Sequence, residues 1–139
     1  MGTIYAEITL ENGVDSGKAR LGEIPMEAVR KITVNSLVDS GAYMLTITED
    51  IKNQLGLLLV ERQQVVVADG TVFDCEIVGP VTLRFKNRIT ICPAIVLPGA
   101  DEVLFGAIPM GGMDVVIDMK KQELLVNPLH PYIAHTMVK

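Results

Sequence analysis

The chain has 139 residues, of which 49% are hydrophobic and 21% charged, with 12 Lys and Arg against 17 Asp and Glu. That composition excludes a disordered chain, and the length suits one domain spanning 1–139. A net charge of −5, no Trp, and only three Phe and three Tyr speak against nucleic acid as a partner, because phosphate binding needs a basic surface and base stacking an aromatic platform.

Apolar residues mostly repeat every second position, the period of a half-buried strand. Ile4, Ala6, Ile8 and Leu10 alternate with Tyr5, Glu7 and Thr9, and Asn12-Gly13 ends that run. Residues 14–26 read as irregular, being rich in turn formers. A second strand is expected over Ala28 to Val38. Thr48 then reads as a helix N-cap, with Glu49 and Asp50 in the first turn and Gly56 as the left-handed stop, so a short helix is predicted over Glu49 to Leu55. Strands over 58–68 and 71–79 flank Asp69-Gly70, a two-residue hairpin signal. Strands over 81–86 and 89–97 flank Asn87. A final pair, Val115 to Asp118 and Glu123 to Val126, is joined through Met119 to Gln122, and a tail from about 128 to 139 holds both histidines. Many short strands with frequent turns predict a mainly β, closed barrel with one or two short helices.

Mean hydropathy is +0.36. Yet no apolar run reaches the ~20 residues a membrane-crossing helix needs. The start has no basic segment before its apolar residues, and Met1-Gly2 is followed by Ala6 where an acylation signal carries Ser or Thr. These features predict a cytoplasmic protein with no membrane partner. Cys75 and Cys92 are then expected to be free core thiols, and Met110 and Met113 core filling. Lys120-Lys121 reads as a solvated turn, Asp118 as its cap, and His135 as a mobile tail residue.

No Cys-x-x-Cys or His-x-x-x-His pair occurs, nor any glycine-rich phosphate loop, so no metal site and no cofactor are expected. Carboxylates remain as candidates for chemistry. The informative segment is Leu37-Val38-Asp39-Ser40-Gly41-Ala42. An aliphatic strand runs straight into an acid, a hydroxyl residue and a glycine that permits a sharp turn. A carboxylate there needs hydrogen-bond partners, because burial without them is costly. Asp15-Ser16-Gly17 is the same triplet in a different context, with Asn12-Gly13 before it and Lys18 after it. It reads as a solvated turn.

Residues 37–42 resemble the active-site signature of the retropepsin-like aspartic proteases. The order of later elements is similar too. In that family a β-hairpin flap follows the aspartate; here it would run from about Gln63 to Val78 with Asp69-Gly70 at its tip. An apolar-apolar-Gly element before a short helix follows, and Leu104-Phe105-Gly106 with Ala107 to Met113 fits it. The resemblance covers about 28–127. It implies catalysis by Asp39, supported by Ser40 and Gly41, and substrate contacts at Ala42, Tyr43, Ala68, Asp69, Gly70 and Thr71. Leu104, Phe105 and Gly106 would support the site.

The implied reaction is peptide-bond hydrolysis by water held between two carboxylates that share one proton. The chain offers one credible signature, and Asp15 lies too close in sequence to belong to a second half. The partner carboxylate is therefore expected from Asp39 of a second copy, which makes a homodimer acting on a peptide or protein substrate. Ser40 would then brace the two copies across the axis. The flap tip has one glycine and one acid where viral flaps are glycine-rich, and Tyr43 is bulkier than the viral residue there. Two alternatives stand beside this reading. One is a non-catalytic peptide-binding or assembly module on the same fold. The other is an unrelated barrel in which Asp39 is only a turn acid.

Overall fold

The structure is a computed structural model and describes residues 3–138; the acylation reading at Met1-Gly2 lies outside them. Strand β1 (Tyr5–Asn12) alternates exposed and buried side chains, as its sequence period requires. It pairs antiparallel with β2 (Lys31–Val38) over seven residue pairs, from Tyr5 opposite Leu37 to Glu11 opposite Lys31. The remaining strands of the main sheet are β3 (Leu45–Ile47), β4 (Leu58–Val66), β5 (Val72–Phe85), β6 (Arg88–Val96) and β7 (Leu104–Phe105).

The sheet order is β1-β2-β7-β3-β6-β5-β4, and β1 also pairs with β5. That extra pairing closes six strands into a ring, with β4 projecting beyond it as the outer arm of a hairpin. Closure leaves those six strands without a free edge. The expected mainly β, closed barrel is therefore what the chain forms. Its inside is aliphatic: Ile8, Leu10, Leu45, Ile47, Leu83 and Phe105 are all essentially inaccessible. A separate two-stranded sheet, β8 (Val115–Asp118) with β9 (Glu123–Val126), packs Val115, Ile117 and Leu124 against the same core.

The helix predicted over Glu49 to Leu55 forms with those bounds as α2. Thr48 accepts the Ile51 amide at 3.2 Å, and Gly56 stops the helix at φ 62°. Cys75 and Cys92 are free and buried, and Met110 and Met113 lie in the core. Asp118 caps its turn by accepting the amides of Lys120 and Lys121, each at 3.0 Å.

Several expectations need correction. Residues 14–26 are not irregular throughout: Gly13–Arg20 forms helix α1. Its cap is Asn12, whose Oδ1 accepts the amides of Val14 and Asp15, a role hidden by reading Asn12-Gly13 as a turn. Asp15 is not solvated. It is 7% exposed, and both carboxylate oxygens take bonds from the Arg30 guanidinium at 2.8 and 3.0 Å. The Arg30 amide adds a third, at 3.0 Å. The second strand begins at Lys31, because residues 26–28 form a 3₁₀ turn. The strands expected over 71–79 and 81–86 are one strand, β5. Pro80, which has no N–H to give, sits where its pairing with β6 shifts register between Val78 and Val81. The helix expected from Ala107 to Met113 is shorter, Ala107–Gly111, and is labelled α3.

His135 is also held rather than free. Its amide donates to Asp114 Oδ2 at 2.9 Å, and its ring stacks on His130 at 3.5 Å. Asp114 further takes bonds from the Asn127 side chain at 2.9 Å and His130 Nδ1 at 2.7 Å. These donors hold the Asp114 carboxyl well below the usual range, the His135 amide contributing most. Buried Arg88 donates to the His130 carbonyl, so the tail is strapped to the β5–β6 end of the barrel.

Candidate active site

Strand β2 delivers Asp39. Its last turns are fixed on both sides: Val38 N donates to Ile4 O at 2.8 Å, and Leu37 N to Val103 O at 2.9 Å. The same two residues pair parallel with β7, Leu37 opposite Leu104 and Val38 opposite Phe105. The Asp39 amide donates to Phe105 O at 3.1 Å. The chain then turns back on itself, with Ala42 N donating to Asp39 O at 3.1 Å. Gly41 N donates to Asp39 Oδ1 at 3.0 Å, and a Cβ at Gly41 would lie only 3.2 Å from that oxygen. The half-buried carboxylate is thus oriented by backbone alone.

Gly106 is what lets this loop close. The amides after it, Ala107 and Ile108, donate to the carbonyls of Ala42 and Tyr43, each at 2.9 Å. A Cβ on Gly106 would lie 2.9 Å from Ala42 O and would collide with Met44 O. Glycine is required here by close backbone approach, since its φ is −89° and any residue could adopt it.

Asp39 lies on the wall of a groove of about 380 Å³. Gly41, Ala42, Tyr43 and Met44 continue that wall from the aspartate loop. Thr46, Ile95, Leu97 and Leu104 form the floor, and Val65 to Ala68 of the β4–β5 hairpin the far side. The lining is mainly apolar, and Asp39 is the only acidic residue in it.

Of the twelve residues singled out in the sequence, the structure brings Asp39, Gly41, Ala42, Tyr43, Ala68 and Leu104 to the groove. Phe105 and Gly106 sit behind it, buried. Ser40 is exposed and outside the lining. Asp69, Gly70 and Thr71 do not reach the groove. The loop spans five residues, not two: Val67 N donates to Thr71 O at 3.0 Å and Gly70 N to Val67 O at 2.9 Å. Asp69 Oδ1 accepts the Thr71 amide at 2.8 Å, and the Thr71 side chain, followed by that amide, lowers the carboxyl's pKa. The sequence reading missed Met44, Thr46, Ile95 and Leu97, and it placed Val65 to Val67 in the flap without naming them as groove residues. The one signal for them was the run Val65-Val66-Val67 in a hairpin arm where a solvated strand would alternate with polar residues.

A closed β ring with an aspartate loop crossed by an apolar-apolar-Gly element is the architecture of an acid-protease half. The chain belongs to the aspartyl protease family, which matches it over residues 18–117. The retropepsin-like resemblance of residues 37–42 agrees with that membership. The chain is also similar to the crystal structure of a retropepsin-like aspartic protease from Rickettsia conorii, at 18% identity and a TM-score of 0.42, covering 89% of this chain and 90% of that one. A second similar structure is a protein of unknown function from Legionella pneumophila, at 13% identity and a TM-score of 0.39, covering 81% and 89%. No curated protein matches the chain.

Proposed function

We propose that the chain, as one domain, is an aspartic endopeptidase that works as a homodimer in the cytoplasm, with Asp39 of each copy forming the catalytic pair. The observation that carries this reading is the lone carboxylate at the edge of an apolar groove, aimed by the Gly41 amide and by the Phe105–Gly106 crossing. One carboxylate cannot be both acid and base. Two brought together on a twofold axis repel, so one holds a proton. The ionised member takes a proton from a water molecule, whose oxygen attacks the peptide carbonyl. The protonated member hydrogen-bonds the carbonyl oxygen as negative charge grows on it, then protonates the leaving amine. The chemistry asks for no cofactor.

Gly41 orients Asp39, and Ser40, exposed beside it, would bond to its counterpart across the axis. Ala42, Tyr43 and Ala68 would line the bound peptide. Asp69, Gly70 and Thr71 would reach it only if the hairpin tip folds down over the groove. A second reading, a peptide-binding module without catalysis, is favoured by the bulky, exposed Tyr43 ring in the groove wall and by a hairpin tip with one glycine and one acid.

The experiment uses the purified full chain with a mixed peptide library. Cleavage, inhibition by a pepstatin-type transition-state mimic and loss of at least ~10³-fold in rate in Asp39→Asn are expected, since the pair has no substitute base. Binding without cleavage at any pH from about 3 to 8 supports the module instead. Undiminished cleavage by Asp39→Asn removes Asp39 from the mechanism.

A further inference from the structure

The groove beside Asp39 does not stop at its apolar floor. A second cavity of about 220 Å³ shares Thr46, Leu97 and Leu104 with it and continues past them to Ala100, Asp101 and Glu102. The segment carrying these acids is built to stay there. At one end Ala100 N donates to Leu97 O at 3.1 Å, in a turn that Gly99 permits at φ 76°. At the other, Val103 is buried and its carbonyl accepts the Leu37 amide two residues before Asp39. The acidic segment is therefore tied to the same backbone that positions the catalytic candidate.

The charges are one-sided. Asp101 and Glu102 are the only ionisable residues lining this cavity, and Asp39 is the only acidic one in the groove it adjoins. Neither Asp101 nor Glu102 is in an ion pair among the described residues. Glu102 Oε2 takes one long bond from the Tyr5 hydroxyl, at 3.4 Å, which steadies the carboxylate and leaves the other oxygen free. Asp101 is exposed and Glu102 half-buried, so a ligand can reach both carboxylates.

We propose that Asp101 and Glu102 form a specificity subsite that takes a Lys or Arg side chain of an extended peptide whose neighbouring apolar side chain fills the groove beside Asp39. This rests on the reading of the groove as a peptide site. A long basic side chain lays its methylenes along Thr46, Leu97 and Leu104 and carries its cation to the two carboxylates. An acidic side chain at the same position meets like charge and is rejected. A twofold dimer repeats the pocket, so the preference recurs on both sides of the scissile bond.

The test separates this subsite from catalysis by measuring binding to the Asp39→Asn protein. The probes are labelled octapeptides with a central Leu-Phe pair and one Lys, Ala or Glu walked through the flanking positions. At one position on each side, Lys should bind about fivefold tighter than Ala and Glu weaker than Ala, the scale of a partly exposed ion pair. The Lys/Ala ratio should fall with added salt, as screened charges require. In Asp101→Asn/Glu102→Gln the ratio should drop to about one, and in Asp101→Lys/Glu102→Lys the preference should pass to Glu. Because each ratio is taken within one protein, a general loss of stability cannot imitate the result. Peptide binding that ignores charge, or a Lys preference that survives both double variants, overturns the subsite and leaves the protease reading standing. Failure to bind every probe, with no cleavage by the native protein, overturns that reading and the subsite with it.

Discussion

Gly106→Ala should unfasten the aspartate loop without touching a reacting group. The added Cβ would sit 2.9 Å from Ala42 O, against the 3.4 Å of an ordinary contact, and would press harder on Met44 O. Both obstacles are backbone, so no side chain can swing aside. The crossing must open by at least 0.5 Å at Ala42 O and by more at Met44 O, which stretches the two 2.9 Å bonds from Ala107 and Ile108 past the roughly 3.2 Å limit of a good N–H···O bond. Each such bond is worth about 1 kcal/mol, and overpacking adds a similar amount, so the total loss is about 3 kcal/mol. For a chain of this size that lowers the melting midpoint by roughly 10 °C. Gly17→Ala is the control: it lies inside α1 with open space around it, and alanine there should hold or raise the midpoint. The assay is thermal melting of both variants, followed by peptide cleavage well below each midpoint. Gly106→Ala should lose activity even where it is folded, because Asp39 is displaced. A Gly106→Ala midpoint within about 2 °C of the native protein would refute the steric argument.

Asp15→Asn should lower the midpoint by about 4 °C at pH 7 by breaking the two-pronged contact with Arg30. Those side-chain bonds hold the Asp15 pKa below its ordinary 3.8, so the stabilisation is complete above that value and fades as pH falls through the lowered one. The gap between native and variant should be flat from pH 5 to 8 and close towards pH 2; a gap that widens on acidification contradicts the assignment. Asp114→Asn should speed hydrogen exchange at the His130 and His135 amides while leaving β2 unchanged, and unaltered exchange in the tail would show that Asp114 does not strap it. Burial pushes the Cys92 thiol up to about 11 and raises Cys75 as well, so neither should react with a thiol reagent at pH 8 until the protein unfolds. A fast-reacting thiol in the native protein would show that one of them is reachable.

Most of the barrel was legible because local signals and packing agree. The alternation in Ile4 to Leu10, the Thr48 and Gly56 caps and the final strand pair each state their structure within a few residues. The groove was legible only at the Asp39 end. Ile95 and Leu97 leave β6 reading like any other aliphatic pair, and nothing near them in sequence says that they face Leu104 and Val65 across open space. That meeting depends on β3 pairing parallel to β6 and antiparallel to β7, which are contacts between distant segments. The same holds for the tail: Asp114, Asn127, His130 and His135 converge only after β8 and β9 have paired.

The two Asp-Ser-Gly triplets show where local reading fails. Asp15 and Asp39 have identical successors, and each follows a valine. What separates them is the partner that long-range structure supplies. Asp15 starts a helix capped by Asn12 and meets Arg30, so its charge is spent on holding α1 to the segment before β2. Asp39 ends a strand and meets only the Gly41 amide, so no cation claims its charge among the described residues. A carboxylate neutralised by arginine cannot readily take up a proton, because its pKa is driven down. One left facing a groove with a single amide keeps its charge open to the paired role proposed for it. The difference between a structural acid and a candidate catalyst thus lies in Arg30 and in the ring that carries it past one triplet and away from the other. Arg30→Ala supplies the check: it should weaken the fold at α1 while leaving the groove beside Asp39 able to bind the same octapeptides.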